Sequence, residues 1–317
     1  MTILITGAFG FVGSNLSKAI SKELSHRLIG VDIKEAYTHF YDEFYFWNDL
    51  RKINWDKVDS IIHLAGKAHD TQNTTEENAY FEINVGLTQK IFDYFLQSDA
   101  RTFIFFSSVK AAADSVAGDV LTEDVIPAPV GPYGESKIRA EEYITRAKNQ
   151  EPRANTKNIY ILRPCMIHGP GNKGNLNLLY SVVKKGIPWP LGAYENRRSF
   201  CSIDNISYVV EQLIVKGNIE SGIYNVCDDE PLSTNELISL ISESVGKKSH
   251  IWKLPKGMMS AATSVGEALH LPLNKERLRK LTENYVVSNS KIKRALGIDN
   301  MPVSAKEGLR KTLDSFR

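Results

Sequence analysis

Residues 2–13 read Thr-Ile-Leu-Ile-Thr-Gly-Ala-Phe-Gly-Phe-Val-Gly, and this stretch decides the fold of the chain. The β-branched apolar run from Thr2 to Thr6 is typical of a strand buried in a parallel sheet. From Phe11 to Leu24 the apolar side chains recur with the helical period, which predicts a helix with one apolar face. The start of the chain therefore predicts a strand, a glycine-rich turn and a helix in direct succession.

The glycines of this turn fit a dinucleotide. Gly7 permits a tight turn, Gly10 lets backbone amides approach a pyrophosphate, and Gly13 allows the helix to pack closely with its N-terminus facing the phosphates. A second predicted strand ends at Asp32, whose carboxylate can accept hydrogen bonds from an adenosine ribose and would repel a 2′-phosphate. This favours NAD, while the nearby cation of Lys34 leaves NADP open. The predicted cofactor contacts of this region are Gly7, Ala8, Phe9, Gly10, Phe11, Val12, Asp32 and Ile33.

Strands and helices alternate further along the chain. Additional strands are predicted at 58–64, 101–108, 158–163 and 222–226, and additional helices at 80–96, 204–215 and 290–296. An aromatic-rich segment at 37–47 predicts a short third strand, and 111–130 predicts a long loop over the cleft. Ser233 with Glu236 resembles a capping box that opens a helix through Val245. This alternation predicts an α/β fold with a Rossmann-type doubly wound parallel sheet.

Tyr133 and Lys137 lie one helical turn apart on a helix predicted to begin near Pro132, so their side chains share a face. A phenol has an ordinary pKa of about 10, and acid–base work near neutrality requires lowering it by roughly three units. A neighbouring ammonium, a helix N-terminus and a nicotinamide ring each push in that direction. Ser108 ends a predicted strand at the edge where doubly wound sheets hold ligands, so its hydroxyl could orient a substrate oxygen. Tyr-x-x-x-Lys also arises by chance in helices, and Ser107 and Ser108 could merely end the strand.

Together these residues resemble the extended short-chain dehydrogenase/reductase family, which includes nucleotide-sugar epimerases, dehydratases and 4-keto-sugar reductases. The resemblance runs nearly end to end and is carried by Thr6-Gly7-x-x-Gly10-Phe11-x-Gly13, His63-Leu64-Ala65-Gly66, Asn84, Ser108 before Tyr133-x-x-x-Lys137, and Arg163-Pro164 before Gly169-Pro170-Gly171. It implies that Ser108, Tyr133 and Lys137 form the catalytic triad. It implies further cofactor contacts at Asp49, Leu50, Leu64, Ala65, Gly66, Lys67, Asn84, Ser107, Tyr133, Lys137, Pro164 and Met166.

The same resemblance implies two lobes. Residues 1–165 with 202–227 would bind NAD(P), and residues 166–201 with 228–317 would form a smaller, discontinuous lobe that binds the nucleotide sugar. It also implies a homodimer, with the helices near Asn84 and Tyr133 as candidates for the interface.

The residues at positions 109 and 110, Val109 and Lys110, indicate which reaction of this family to expect. The dehydratases place an Asp-Glu pair at these positions, so dehydration is not expected here. What remains is hydride transfer at C4 of a UDP-sugar, by a 4-epimerase or a 4-keto-sugar reductase. UDP-galactose 4-epimerases have an asparagine where this chain has Met166, and segments 163–175 and 187–199 look closer to enzymes of UDP-N-acetyl sugars in surface-polysaccharide precursor synthesis.

Arg198, with Arg197 as a second candidate, would neutralise the diphosphate of such a substrate through forked hydrogen bonds. The substrate contacts that the resemblance implies are Ser108, Val109, Lys110, Tyr133, Asn175, Leu176 and Arg198.

Composition excludes several other classes. The chain has 39 basic and 37 acidic residues, a net charge of +2, which is too balanced to imply a nucleic-acid or anionic membrane partner. Its three cysteines are far apart and odd in number, so neither a disulfide framework nor a zinc site is expected, and no histidine cluster predicts another metal. The sequence shows neither a signal peptide nor an apolar run long enough to span a membrane, so we expect a cytoplasmic protein.

Two other functions stay open at this point. One is reduction of a non-nucleotide carbonyl compound, as in the flavonoid and steroid reductases related to this family. The other is a non-enzymatic protein that binds NAD(P) to sense redox state.

Overall fold

The computed structural model describes residues 1–23, 26–36, 40–67, 76–172, 174–259 and 275–317. Seven of its strands form one parallel sheet in the order β3-β2-β1-β4-β5-β6-β9, and β7 pairs with β8 in a small second sheet. The strands are β1 (Thr2–Thr6), β2 (Arg27–Asp32), β3 (Glu43–Phe46), β4 (Ser60–His63), β5 (Thr102–Phe106), β6 (Asn158–Pro164), β7 (Met166–His168), β8 (Phe200–Ser202) and β9 (Gly222–Val226). The strand order reverses between β1 and β4, where doubly wound sheets open a crevice for ligands.

Helices lie on both faces of this sheet, and others pack away from it. They are α1 (Phe11–Glu23), α2 (Glu77–Phe81), α3 (Leu87–Gln97), α4 (Gly131–Gln150), α5 (Asn175–Lys184), α6 (Ile203–Lys216), α7 (Thr234–Ser244), α8 (Lys275–Thr282), α9 (Ser290–Leu296) and α10 (Ala305–Asp314). A π-helical turn, Glu82–Gly86, joins α2 to α3. In the part of the chain that the structure describes, no helix combines the length and the apolar character needed to cross a bilayer.

Alternation along each strand gives the sheet two apolar faces. Ile3 and Ile5 of β1 pack in one cluster with α1 and α6, whereas Leu4 packs in a second cluster with α3 and α4. All three side chains are fully buried. Because successive side chains of a strand point to opposite faces, this pattern requires helices on both sides of the sheet. The predicted doubly wound fold is confirmed.

A third apolar cluster lies away from the sheet and is built from residues 176–200 and 232–316. These ranges follow the predicted discontinuous lobe. However, Val287, Ile292 and Leu296 come from the segment assigned to that lobe and pack instead with α1 and α6. The predicted lobe boundaries, 1–165 with 202–227 and 166–201 with 228–317, stay a prediction.

Several predicted elements are confirmed with their bounds, among them β1, β9 and α9. The capping box of α7 is also confirmed, because Ser233 and Glu236 exchange both of its hydrogen bonds. The helix predicted at 80–96 is interrupted by the π-helical turn. The sequence did not indicate β7, β8, α5 or α10. Leu24 and residues 37–39, parts of two predicted elements, lie outside the described residues.

Candidate active site

In the glycine turn between β1 and α1, the positions of Gly7 and Gly13 have no room for a side chain. Gly7 has a φ of +69°, in the left-handed region that favours glycine, and its amide donates to Val31 O at 2.9 Å. A Cβ on Gly7 would lie 2.8 Å from the Ala65 amide nitrogen, and one on Gly13 would lie 2.3 Å from Gly7 O. The turn is therefore pressed against the loop after β4. By helix geometry, the first amides of α1 point out of its N-terminus and can bind phosphate.

Asp32 ends β2 beside this turn. Its carboxylate accepts hydrogen bonds from the Phe9 amide at 2.8 Å and from the Ile33 amide at 2.7 Å. The Tyr41 hydroxyl holds the turn from another side by donating to Ala8 O at 3.0 Å. Each carboxylate oxygen has a further lone pair, so Asp32 can still accept a ribose hydroxyl. The glycine turn and this carboxylate fit the adenosine diphosphate half of NAD.

Ser108, Tyr133 and Lys137 come together at the carboxyl edge of the sheet. Ser108 follows β5 and is hydrogen-bonded through its hydroxyl to the Tyr133 phenol. Lys137 Nζ donates to Phe106 O, at the end of the same strand, at 2.8 Å. Tyr133 and Lys137 share a face of α4, which begins with a proline in its first turn. A hydroxyl, a phenol and an ammonium therefore surround one point at the end of β5.

Burial shifts the pKa values of both Tyr133 and Lys137 on α4. The pKa of Lys137 is lowered to about 8 because its ammonium is desolvated, although the Glu141 carboxylate raises it. The pKa of Tyr133 is raised, chiefly by burial and also by Tyr80, while its hydrogen bond with Ser108 lowers it. Burial thus opposes ionisation of the phenol, and the Ser108 hydroxyl favours it.

Asn84 lies in the π-helical turn and binds the loop after β4. Its Oδ1 accepts from the Lys67 amide at 2.6 Å, and its Nδ2 donates to Lys67 O at 3.1 Å and to Ser136 Oγ at 2.8 Å. A Cβ on Gly66 would lie 2.9 Å from Asn84 Oδ1 and 3.1 Å from Lys137 Nζ. Turns of this kind are rare and recur at functional sites. Asn84 therefore fixes the loop against α4 next to the lysine.

Arg163 of β6 and Glu141 of α4 form a buried ion pair beneath the site. Arg163 Nε and Nη2 donate to the Glu141 carboxylate at 3.0 and 2.6 Å, and both side chains are 2% exposed. The Ser107 hydroxyl donates to the same carboxylate. Glu141 was not among the residues predicted from sequence, although its spacing from Tyr133 and Lys137 places it on the same face of α4. The sequence therefore contained a usable signal, which is a carboxylate on the helix face that also carries Tyr133 and Lys137.

Other predicted cofactor residues lie along the same edge, because each follows or ends a parallel strand of the sheet. They are Asp49, Leu50, Leu64, Ala65, Pro164 and Met166. Leu50 is buried in the core, whereas Asp49 pairs with Lys52 at 2.7 Å. Met166 begins β7 and is 37% exposed.

Val109 and Lys110 form a 3₁₀ turn directly after the Ser108 hydroxyl. Lys110 Nζ donates to Asp114 Oδ1 at 2.9 Å and lies 4.7 Å from the centre of the Tyr285 ring. The Tyr285 hydroxyl donates to Ala113 O at 2.7 Å, across 172 positions of sequence. Tyr285 therefore joins the C-terminal part of the chain to the segment that follows Ser108. The sequence analysis missed it because no local pattern distinguishes this tyrosine.

Arg198 lies on the same side of the cleft as Tyr285, to which its backbone is bridged. Its guanidinium donates to Lys280 O and is partly exposed. Asn175 begins α5 and is exposed, whereas Leu176 is buried in the third cluster. The substrate roles of these residues stay predictions.

Three cysteines, Cys165, Cys201 and Cys227, meet where β6, β8 and β9 come together, although they are far apart in sequence. The Cys227 thiol donates to Val287 O at 3.2 Å, and all three thiols are buried. Burial raises the pKa of Cys165 and raises that of Cys201 to about 11, and the contact with Cys165 raises the pKa of Cys227. Over the described ranges, no three His, Cys, Asp or Glu side chains are arranged to hold a metal ion.

Relatives with this architecture are found both by sequence and by structure. A UDP-glucose 4-epimerase of Vibrio cholerae is 27% identical over 99% of this chain and 95% of its own length. An N-acetyl-alpha-D-glucosaminyl-diphospho-ditrans,octacis-undecaprenol 4-epimerase of Escherichia coli O157:H7 is 27% identical over 80% of this chain and 75% of its own. The solved UDP-glucuronic acid 4-epimerase of Bacillus cereus in complex with NAD is 21% identical, with a TM-score of 0.75 over 100% of this chain and 96% of that one.

The solved UDP-glucose 4-epimerase of Thermotoga maritima gives a TM-score of 0.77 at 22% identity, covering 100% of this chain and 99% of that one. These structures show the fold. Residues 3–227, which contain the glycine turn, the triad and β9, match the model of the NAD dependent epimerase/dehydratase family. With that match, this chain belongs to the NAD dependent epimerase/dehydratase family.

Proposed function

We propose that this chain is an NAD-dependent 4-epimerase of UDP-sugars with Tyr133 as its acid–base group. The observation that carries the proposal is the hydrogen bond between the Ser108 hydroxyl and the Tyr133 phenol, with Lys137 Nζ buried next to them. These groups lie at the carboxyl edge of the sheet, at the strand ends that also carry the turn that fits NAD. A sugar hydroxyl bound by Ser108 would lie within reach of the phenol.

When bound, NAD accepts a hydride from a sugar carbon and can return it. The Tyr133 phenolate takes the proton of the C4 hydroxyl as that carbon is oxidised, and the resulting phenol gives the proton back as the carbonyl is reduced. Ser108 orients the C4 oxygen, and the charge of Lys137 favours the phenolate. One residue handles the same proton in both directions. The reaction therefore needs no further carboxylic acid, in keeping with Val109 and Lys110 at the positions where dehydratases carry Asp-Glu.

The relatives support the 4-epimerase rather than the reductase. The proteins of V. cholerae and E. coli are both 4-epimerases, one of a UDP-sugar and one of a sugar on diphospho-undecaprenol. Both carriers contain a diphosphate, which the partly exposed guanidinium of Arg198 would neutralise. We place the reaction in the synthesis of surface-polysaccharide precursors, with UDP-glucose and UDP-N-acetylglucosamine as the substrates to try first.

The test follows UDP-glucose and UDP-N-acetylglucosamine by proton NMR with purified protein and no added cofactor. An epimerase restores its cofactor in each turnover, so the 4-epimer should accumulate without NADH. A 4-keto-sugar reductase would instead consume one NADH for each ketone reduced, and that result would replace the proposal. Failure to bind NAD would overturn both.

Tyr133→Phe tests the acid–base role. It should lower the rate of conversion about 10²–10⁴-fold while NAD binding stays nearly intact. Tyr143→Phe is the matched control, because Tyr143 lies on the same helix and is hydrogen-bonded to Asp93 rather than to Ser108. Equal rates for Tyr133→Phe and Tyr143→Phe would remove the catalytic assignment.

A homodimer and a cytoplasmic location complete the proposal. The three buried free thiols suit a reducing compartment. The exposed faces of α3 and α4 are the proposed dimer contact, and light scattering of the purified protein measures the oligomeric state.

A further inference from the structure

Segments 184–187 and 247–258 form one surface on the lobe that contains α5, and this surface is called the basic rim below. Backbone hydrogen bonds of 2.8 Å run from the Trp189 amide to His250 O and from the Trp252 amide to Trp189 O. They join the second segment to the residues that directly follow the first. The two segments therefore present their side chains together.

The basic rim is strongly cationic. It contains no carboxylate and six lysines, which are Lys184, Lys185, Lys247, Lys248, Lys253 and Lys256. Over the described residues, no carboxylate oxygen lies within ion-pair distance of these six ammonium groups. Lys247 Nζ instead donates to Lys184 O at 2.7 Å, which brings the two segments and their charges together. The net charge of the whole chain is only +2, so the overall balance conceals this local excess.

Large apolar side chains extend from the same surface. Ile187 is 52% exposed, Trp252 is 56% exposed and Met258 is 59% exposed. A tryptophan ring is stable at the level of lipid headgroups, because one part of it is apolar and its N–H is polar. Lysine side chains can lay their apolar stems along such a surface and keep the ammonium in water. Exposed apolar residues among lysines that have no carboxylate partner are the composition of interfacial membrane-binding surfaces.

We propose that the basic rim binds the surface of an anionic lipid bilayer, with Trp252 and Ile187 entering the headgroup layer and the lysines contacting lipid phosphates. A second copy of this chain is a poor occupant, because it would bring a second set of six cations to the contact. The proposal goes beyond the proposed function and does not depend on it. It also revises the expectation of no membrane partner, which rested on the charge summed over the chain.

Helix α5 connects this surface to the predicted substrate end of the lobe. Lys184 ends α5 and Asn175 begins it. Ten helical residues span about 15 Å, so a bilayer at the basic rim would lie close to the cleft. A sugar carried on a membrane lipid would then be accessible to the same site as a soluble nucleotide sugar.

The test is co-sedimentation of the full chain with vesicles of phosphatidylcholine alone or with about one-third phosphatidylglycerol. Binding should be at least tenfold tighter to the anionic vesicles and should be lost in high salt, since salt screens exposed charges. Each lysine near an anionic surface contributes roughly fivefold to partitioning. Lys247→Glu with Lys248→Glu should therefore weaken binding at least about twentyfold. Trp252→Ala should remove the blue shift of tryptophan fluorescence on binding.

The matched control is Lys18→Glu with Lys57→Glu, which changes the net charge equally at exposed positions outside the basic rim and outside the proposed dimer contact. It should bind vesicles within about twofold of the unchanged protein. Equal weakening by both pairs, or no preference of the unchanged protein for anionic vesicles, would overturn the proposal. So would tighter binding to single-stranded DNA than to vesicles with the same dependence on Lys247 and Lys248. Cooperative thermal unfolding of each variant verifies that it is folded.

Discussion

Lys137 carries a charge that its surroundings disfavour, since burial lowers its pKa to about 8. In the unfolded chain a lysine titrates near 10.4, so the native state loses free energy by holding this proton at any pH below about 8. This destabilisation fades as the pH rises from about 8 to about 10.4. We expect Lys137→Met to raise the melting temperature by a few degrees at pH 7 and to abolish conversion of the sugar.

The pH dependence of that gain is the diagnostic measurement. The difference in melting temperature between Lys137→Met and the unchanged protein should be largest near pH 7 and should shrink toward pH 10. Lys18→Met, at an exposed position of α1, is the control and should change the melting temperature only slightly at either pH. A gain at Lys137 that stays constant from pH 7 to pH 10 would show that its charge is not the cause.

Glu141 balances the buried charge of Arg163 and raises the pKa of Lys137. Glu141→Gln leaves the Arg163 guanidinium buried without a counter-charge, which should destabilise the protein by about 3–5 kcal/mol in urea unfolding. The variant should also lower the pKa of Lys137 further, so the alkaline limit of its pH–rate profile should move to lower pH.

Two comparisons separate charge balance from packing at Glu141. Glu142→Gln, whose side chain is 56% exposed, should change stability by less than about 0.5 kcal/mol. Replacing both partners, as Glu141→Leu with Arg163→Met, should recover most of the stability without restoring the pH profile. If the double variant is no more stable than Glu141→Gln, the uncompensated arginine is not the source of the loss.

At the scale of elements, the π-helical turn and the loop after β4 position the lysine. A Cβ on Gly66 would lie 2.9 Å from Asn84 Oδ1 and 3.1 Å from Lys137 Nζ, whereas one on Gly86 would meet nothing within 4 Å. We expect Gly66→Ala to displace Asn84 or Lys137, lower the rate of conversion at least about tenfold and weaken NAD binding. Gly86→Ala should stay within about twofold of the unchanged enzyme in both assays. Similar rates for both variants would mean that the site absorbs the extra methyl group.

Local sequence was sufficient for elements whose residues carry their own signal. Apolar runs marked β1 and β9, and Ser233 with Glu236 opened α7. The π-helical turn was not predictable, because it is stabilised by Asn84 reaching the loop after β4. Strands β7 and β8 have three residues each, which is too short for a period, and they pair across a long gap in sequence. Their existence depends on the packing of the lobe.

At the scale of the whole molecule, a bound diphosphate should raise the melting temperature, and this rise should depend on Arg198. A ligand at 100 times its Kd stabilises a protein by about 2.7 kcal/mol, so saturating UDP should raise the melting temperature by several degrees. Arg198→Leu should abolish that rise and leave the rise with NAD unchanged. Arg197→Leu is the neighbouring control at an exposed position and should respond to UDP like the unchanged protein. A full response to UDP in Arg198→Leu would exclude this arginine from the diphosphate site.

The candidate site was only partly predictable from sequence, because some of its contacts are made only in the tertiary fold. The spacing of Tyr133 and Lys137 and the serine after β5 are local features, and the structure brings these three together. Tyr285 reaches the segment that follows Ser108 from the far end of the chain, so only the tertiary fold reveals it. The contribution of burial, which raises the pKa of Tyr133, could not be read from the sequence either.

The buried thiols of Cys165, Cys201 and Cys227 allow the opening of the native structure to be measured by thiol labelling. Each thiol is shielded and held protonated, so alkylating reagents should label the native protein very slowly. Since β6, β8 and β9 must separate before any of them is reached, all three should be modified together, in one kinetic phase. The labelling rate would then measure how often β6, β8 and β9 separate in the native protein, and no probe has to be introduced.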